Sequence, residues 1–210
     1  MERKFTIEEF IYWGTLIFAT IVTGYLLVTL INASSREENG YLETNSTKRL
    51  ARTAVIETSM GRITFTLARS QAPVTVNNFV SLAQSGFYDK TKFHRVVKGK
   101  LIQGGDPLSR EDDRELYGTG GPGYVFEDEI PEGIKMKRGM VAMANLGKPN
   151  TNGSQFFILV AEDAPLMDGR YTVIGTVIDG MDVVERINNV SVDERDIPET
   201  PVYVEDITAE

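Results

Sequence analysis

The sequence predicts a mainly β domain, a closed barrel with two helices, behind a single apolar N-terminal segment. Short apolar runs follow one another from residue 54 to residue 207, with glycine-rich turns between them. Only two stretches of that region place apolar residues at helical spacing, and residues 10–31 ahead of it form one uncharged apolar run. Many short strands with two helices favour a closed barrel with helical plugs over a βαβ fold.

The apolar segment 10–31 has the length of a membrane-spanning helix. At about 1.5 Å per residue it covers roughly 30 Å, the thickness of the hydrocarbon core of a bilayer. Tyr12 and Trp13 lie near one end, where aromatic rings favour the membrane interface. Two alternatives stay open: a cleaved signal peptide, whose apolar core is usually shorter, and a buried core helix, which usually has a polar face. We expect a short tail over residues 1–9 and a transmembrane anchor over 10–31.

Charges on either side of this segment bear on its orientation. Arg3 and Lys4 precede it, while Arg36, Lys48 and Arg49 follow it. The nearest charges and the late folded domain favour an N-terminus inside and an exported domain. Residues 32–52 are polar, lack apolar periodicity and are typical of a flexible stalk. We therefore expect a single-pass membrane protein whose domain over residues 53–210 is extracytoplasmic.

The domain opens with a hairpin and a helix. Residues 54–58 and 62–67 are predicted strands, the second with strict alternation, and residues 59–61 supply a tight turn between them. Pro73 then begins a helix that ends at Gly86.

The remaining apolar runs predict seven strands and a second helix. The strands cover residues 93–97, 101–103, 125–130, 140–144, 156–160, 172–177 and 202–207, and the helix covers residues 181–188.

Composition limits the classes of function. Hydrophobic residues make up 41% and charged residues 25%, the balance of a globular protein. The net charge of −8 argues against nucleic acid as a partner, because phosphate binding needs a basic surface. The chain has no cysteine, which excludes disulfides, thiolate catalysis and cysteine metal sites.

Three segments carry a recognisable pattern. They are FHRVV at 93–97 with LIQGGD at 101–106, GTGG at 118–121, and MAN at 143–145 with NTNGSQFF at 150–157. These segments resemble the defining motifs of cyclophilins in order and spacing, and the resemblance runs from about residue 54 to 207. It implies an eight-stranded antiparallel barrel capped by two helices, a surface groove, and peptidyl-prolyl cis–trans isomerase activity in protein folding.

The resemblance also implies roles for individual residues. The catalytic arginine of the family matches Arg95, its groove glutamine matches Gln103, and its pocket phenylalanine matches Phe157. Further substrate-binding positions are implied at Leu101, Asn145, Ala144, Gln155, Gly118, Leu166, Tyr171 and Lys100. No cofactor and no metal are expected. We expect a monomer that binds proline-containing polypeptides, in particular unfolded or exported proteins, and that contacts the membrane through its N-terminal helix.

The residue types suit this chemistry. Rotation about a peptide bond faces a barrier of about 18–20 kcal/mol, because resonance gives the C–N bond double-bond character. A guanidinium stays charged and offers several directed donors, so Arg95 is suited to stabilise the twisted amide. We expect Gln103 to position the substrate and the Asn145 backbone to pair with the residue before proline.

Other interpretations of the same segments are less specific. His94, the only histidine, invites an acid–base role, but no partner nucleophile stands out. Residues 118–123 fit G-x-G-x-x-G, yet a dinucleotide site needs a strand before the motif and a helix after it. Strand alternation predicts that Phe156 lies in the core and that Phe157 points the other way. The acidic residues 112–113 and 127–129 lack EF-hand spacing and are expected on a solvated face.

The chain departs from the family pattern at the pocket. Lys100 stands where the family commonly has phenylalanine, Leu166 where many relatives have tryptophan, and Tyr171 where many have histidine. We expect the aliphatic stem of Lys100 to line the pocket and to make it less apolar. This motivates an alternative function, a weakly active proline-peptide-binding module or holding chaperone at the membrane.

Overall fold

The computed structural model describes residues 51–210. The predicted tail, the predicted anchor over 10–31 and residues 32–50 of the predicted stalk lie outside the described residues. Ala51 and Arg52, the last two residues of that stalk, pack on the domain: the Ala51 carbonyl accepts a bond from Arg69 Nε at 2.5 Å, and the Arg52 carbonyl accepts one from Leu67 N. No helix within residues 51–210 is both long enough and apolar enough to cross a membrane.

Eight strands form one antiparallel sheet. They are β1 (Thr53–Thr58), β2 (Gly61–Leu67), β3 (Arg95–Val97), β4 (Leu101–Gly104), β5 (Met140–Met143), β6 (Phe156–Leu159), β7 (Val173–Asp179) and β8 (Val204–Ala209). Their order across the sheet is β3-β4-β6-β5-β7-β2-β1-β8.

The sheet curls until its two edge strands approach each other. Beside β3 and β8, Phe93 N donates to Val202 O at 2.9 Å and Val204 N donates to Thr91 O at 2.8 Å. We call this pairing the seam. The seam is short: it lies just before β3 and ends at the first residue of β8, and Pro201 on that side has no N–H to donate. The expected closed barrel is therefore a curled half-barrel, with no continuous ladder between β3 and β8 in the described chain.

Eight of the nine predicted strands are present. The prediction of a strand over residues 125–130 is wrong. Phe126 makes only an isolated bridge to Asn152. Beyond it, side chains bond to other parts of the chain in place of a neighbouring strand: Asn152 Nδ2 donates to Asp128 Oδ1 at 2.8 Å, and Glu129 reaches the first helix. These acidic residues therefore organise a loop and do not form a merely solvated face.

Two helices pack on the sheet, both at the predicted positions. Helix α1 (Pro73–Gln84) has no cap from its own preceding residue. The Glu129 carboxylate caps it instead, accepting bonds from Val74 N at 3.2 Å and Thr75 N at 2.7 Å. Helix α2 (Met181–Asn188) follows Gly180, whose φ of 82° and contact with the Arg62 carbonyl leave no room for a side chain.

The main core lies between the curled sheet and the two helices. Phe156 is its centre, with the rings of Phe79, Tyr88 and Phe93 packed edge-on at 5.7–6.3 Å between centroids. Buried residues of both helices, including Val76 and Ile187, belong to the same cluster. The expectation that Phe156 lies in the core is confirmed.

Candidate active site

A row of side chains crosses the outer face of the sheet. Arg95 on β3 pairs with Gln103 on β4, Gln103 pairs with Phe157 on β6, and Phe157 pairs with Ala142 on β5. Directly paired residues point to the same face of a sheet. One cation, one amide and one aromatic ring therefore lie side by side, although they are up to 62 residues apart in sequence.

The floor beneath this row is apolar. Alternation along the strands gives the outer face its own cluster of buried residues: Leu101, Met136, Ala142, Phe157, Leu159 and Val173. Tyr171 packs edge-on against Phe157, with 5.1 Å between ring centroids. Above them lies a cleft of about 360 Å³. Its floor offers apolar surface of the kind that a small aliphatic ring requires.

Arg95 lies at the edge of the cleft with its donors largely uncommitted. Nη1 is 3.5 Å from Gln103 Oε1, and Nη2 is 3.8 Å from Asp196 Oδ2. Both separations are at or beyond the limit of hydrogen bonding. The guanidinium is thus held between two oxygens and can still donate strong bonds to a bound group.

A chain of amide groups fixes Gln103. Its Nε2 donates to Gln155 Oε1 at 2.9 Å, and Gln155 Nε2 donates to the carbonyls of Gly118 at 3.0 Å and Gly120 at 2.8 Å. This chain leaves Gln103 Oε1 facing Arg95. The glycine-rich loop therefore has a structural partner in Gln155, and no helix follows residues 118–123 as a dinucleotide site would need.

The loop is held from below by a buried acid. The Asp106 carboxylate accepts bonds from Leu108 N at 2.8 Å and Gly118 N at 2.5 Å. It also lies so close to Gly120 that a Cβ there would collide with it. Glycine is therefore needed at position 120 for this close approach of the loop to Asp106.

Opposite Arg95, the chain leaves β5 through Ala144 and Asn145. Ala144 N donates to Gln155 O at 2.8 Å. The Asn145 side chain bonds locally, with Nδ2 donating to Arg170 O at 3.0 Å. Within residues 51–210 the main-chain N–H and C=O of Asn145 have no hydrogen-bond partner. These groups are free to form main-chain hydrogen bonds with one residue of a bound peptide.

Comparison with known proteins decides the family. Residues 53–209 match the family described as cyclophilin type peptidyl-prolyl cis-trans isomerase. The chain belongs to this family.

Two relatives match this chain over nearly their whole length. The chain is 45% identical to peptidyl-prolyl cis-trans isomerase-like 1 of Neurospora crassa, over 74% of this chain and 92% of that protein. It is also 45% identical to peptidyl-prolyl cis-trans isomerase A of Mycobacterium tuberculosis, over 74% of this chain and 91% of that one.

Solved structures give the same result. A cyclophilin-type isomerase of Cryptosporidium parvum superposes with a TM-score of 0.69 at 37% identity, covering 76% of this chain and 98% of its own. The same protein in the presence of the dipeptide Ala-Pro gives a TM-score of 0.68 at 37% identity, over 75% and 98% of the two chains.

Most of the residues that the cyclophilin motifs single out meet in the cleft. Its lining includes Arg95, Gln103, Leu101, Gly118, Ala144, Asn145, Phe157 and Tyr171. Gln155 is buried beneath, in contact with Gln103.

Two of the expected substrate-binding residues are not brought into the lining. Lys100 is exposed in the turn before β4, where its carbonyl accepts bonds from Val160 N and Ala161 N. Leu166 is 85% exposed, because the short 3-10 helix Pro165–Met167 turns it outward and turns Met167 toward the cleft. Leu166 was predicted in place of its neighbour Met167, since the sequence does not show which residue of such a turn faces inward.

The sequence analysis also missed the charged end of the cleft. Arg114, Glu115, Tyr117, Arg195 and Ile197 line it, from the short 3-10 helix Arg114–Leu116 and from the loop before β8. No motif marks these residues, because their proximity depends on contacts about 80 residues apart along the chain.

His94 is unsuited to acid–base catalysis in this cyclophilin. It is 3% exposed, and burial lowers the pKa of its imidazole, an effect that the nearby Asp106 carboxylate opposes. Neither ring nitrogen has a hydrogen-bond partner in the described part of the chain. The ring therefore stays neutral near pH 7, with no nucleophile to activate.

Proposed function

We propose that this chain accelerates the cis–trans isomerisation of X-Pro bonds with Arg95 as its catalytic residue. The observation that carries the proposal is the row across β3, β4 and β6, where an uncommitted guanidinium lies beside an apolar floor. A proline ring fits above Phe157, Leu101 and Met167. Its carbonyl then lies within reach of Arg95.

The chemistry needs no covalent step. When the X-Pro bond twists, resonance is lost and the prolyl nitrogen regains its lone pair. Arg95 donates to the prolyl group and stabilises the pyramidal nitrogen, while Gln103 positions the substrate. Raising a rate near ~0.02 per second to ~10 per second requires about 3–4 kcal/mol. One charge-assisted hydrogen bond, together with orientation of the substrate on the apolar floor, supplies an amount of this size.

The peptide binds across the strands. The free main-chain groups of Asn145 pair with the residue before proline, and Ala144, Gln155 and Gly118 complete that wall. Lys100 and Leu166, being outside the cleft lining, contribute less to the pocket than the sequence analysis expected.

The cellular setting in this proposal rests on the sequence alone. The uncharged apolar run over residues 10–31 supports a single-pass anchor, and its flanking charges support an extracytoplasmic domain. Substrates would then be unfolded or exported proteins near the membrane surface. Release of the chain from membranes by alkaline carbonate would contradict the anchor. Protection of residues 53–210 from protease added outside intact cells would contradict an extracytoplasmic domain.

The test of catalysis compares Arg95→Ala with Arg62→Gln. Arg62 forms an exposed ion pair with Glu57 on the hairpin of β1 and β2 and serves as the matched control. NMR exchange spectroscopy on a proline peptide measures turnover without a coupling protease. We expect Arg95→Ala to lower kcat/KM by about tenfold to a hundredfold, since a hydrogen bond to a charged group contributes roughly 1.5–3 kcal/mol. Equal rates for Arg95→Ala and wild type would refute the role of Arg95, and binding without turnover in the wild type would favour the peptide-binding module.

A further inference from the structure

The strand order gives the cleft a direction. Asn145 follows β5, and β6, β4 and β3 come next in the sheet, with Arg95 on the edge strand. Beyond that edge lies the loop 193–197, attached to β3 by a bond from Val96 N to Asp196 O at 2.7 Å. A peptide that crosses the strands from Asn145 past Phe157 to Arg95 therefore leads its following residues to this loop.

The cleft lining at this loop contains more arginines than acids, in a protein that is acidic overall. The chain has a net charge of −8, yet the cleft lining contains three arginines, Arg95, Arg114 and Arg195, and one acid, Glu115. Asp193 and Asp196 contact Arg114 at 3.2 Å and Arg95 at 3.8 Å but do not line the cleft. Among the lining residues, a substrate in the cleft thus meets three guanidiniums and one carboxylate.

Arg195 has a partner that a substrate can replace. Its Nη1 lies 2.8 Å from Glu115 Oε1, but the Glu115 side chain is 78% exposed and the Arg195 side chain 47% exposed. Exposed ion pairs of this kind contribute little to stability, so exchange of one carboxylate for another costs little. Arg114 is more firmly held, since its Nη2 also donates to the carbonyls of Ile197 and Pro198.

We propose that Arg195, with Arg114 beside it, forms a subsite for an acidic residue on the C-terminal side of the substrate proline. The subsite rests on the proposed function, because the direction of the peptide depends on Asn145 and Arg95 holding it as described. Its substrates carry Pro-Glu or Pro-Asp sequences. The incoming carboxylate replaces Glu115 as the partner of Arg195.

The test uses the full-length chain and peptides of the form Ala-Ala-Pro-X-amide, with X as Glu, Gln or Lys. NMR exchange spectroscopy gives kcat/KM, and chemical-shift titration of the same peptides gives Kd. We expect kcat/KM for Glu to exceed that for Gln by about threefold to fivefold, the size of an exposed ion pair, and Lys to be the poorest. The preference shrinks at about 1 M salt, where the screening length falls to about 3 Å.

Variants separate the subsite from general charge effects. Arg195→Gln removes the preference for Glu over Gln, whereas Glu115→Gln increases it by removing the competing carboxylate. Arg62→Gln changes net charge equally at an exposed pair outside the cleft and retains the wild-type ratio. Equal kcat/KM for the three peptides would overturn the subsite and leave the isomerase intact. If no peptide is accelerated, the proposed function fails. The Kd values of the three peptides then test the subsite alone: tighter binding of the Glu peptide supports it, and equal Kd values overturn it.

Discussion

Phe156 and Phe157 are neighbours on β6 with different surroundings. Phe156 is completely buried among the rings of Phe79, Tyr88 and Phe93, enclosed by the sheet and both helices. Phe157 points to the outer face, where Tyr171 packs on one side and the cleft opens on the other. One face of the strand is enclosed by the protein on all sides, whereas the other borders the cleft. The two faces of β4 divide in the same way, with Ile102 inward and Gln103 outward.

Phe156→Ala should give the largest loss of stability. Truncation leaves a cavity between the sheet and helix α1 that the packed rings cannot fill, so we expect the free energy of unfolding to fall by about 3–5 kcal/mol. Denaturant titration measures this change. Isomerase activity per folded molecule should fall less than in Phe157→Ala. The reverse order would show that stability and catalysis do not divide between the inner and outer faces of β6.

Asn188→Ala tests the link between the core helix α2 and the turn that joins the cleft strands β3 and β4. This buried residue at the end of α2 donates to the carbonyls of Val97 and Leu101, each at 3.0 Å, and accepts from Gly99 N at 2.7 Å. It holds the turn that joins Arg95 to Gln103. We expect a loss of about 2 kcal/mol, because the substitution leaves buried groups unpaired, together with reduced turnover.

The exposed Asn189 is the control for Asn188. Its side chain makes only a local bond to the Glu185 carbonyl at 2.9 Å, so Asn189→Ala should change both stability and turnover little. Normal turnover in Asn188→Ala would mean that the β3–β4 turn keeps its geometry without this support.

Phe157→Ala should affect catalysis more than Phe156→Ala does. The lost ring removes apolar surface beneath the substrate proline, which is equivalent to about 1.5 kcal/mol of binding, or roughly a tenfold fall in kcat/KM. Phe157 is only 3% exposed, but its ring lines the cleft, so water can enter the space that truncation leaves and the unfolding free energy should fall by less than in Phe156→Ala. Phe157→Leu, which restores most of the apolar surface, should recover part of the activity in the same NMR assay.

The smallest expected effect is a pH dependence from His94. Because burial lowers its folded pKa below the unfolded value near ~6.5, its stabilising contribution is complete above that pH and is lost as pH falls toward the folded pKa. The slope is at most about 1.4 kcal/mol per pH unit, the value for one proton. Unfolding of wild type and His94→Gln between pH 7.5 and 5 measures it, and identical slopes for both proteins would contradict a neutral, buried imidazole.

The sequence predicted those parts of the fold and site that depend on local pattern. Strict alternation separated Phe156 from Phe157, and the conjunction of three motifs indicated Arg95, Gln103 and Phe157. The structure assembles these three residues in one row because register is set by which face of each strand is buried.

What could not be predicted depends on distant contacts. Residues 125–130 have the apolar pattern of a strand, but Glu129 instead caps a helix that begins 56 residues earlier. Arg114 and Arg195 lie at the same end of the cleft only because two loops meet there. Met167 lines the cleft and Leu166 does not, because the geometry of a single 3-10 turn decides which of the two side chains faces inward.

The seam has a consequence for how the molecule opens. Only a few main-chain bonds join the two edges of the curled sheet in the described residues, whereas neighbouring strands within the sheet pair over at least three residues each. Regions with few cross-strand bonds exchange their amide hydrogens through the smallest local openings. Phe93 and Val204 should therefore exchange before residues of β2, and a peptide that spans Arg95 and the loop 193–197 should slow them. A peptide bound in the cleft would then stabilise the seam against local opening.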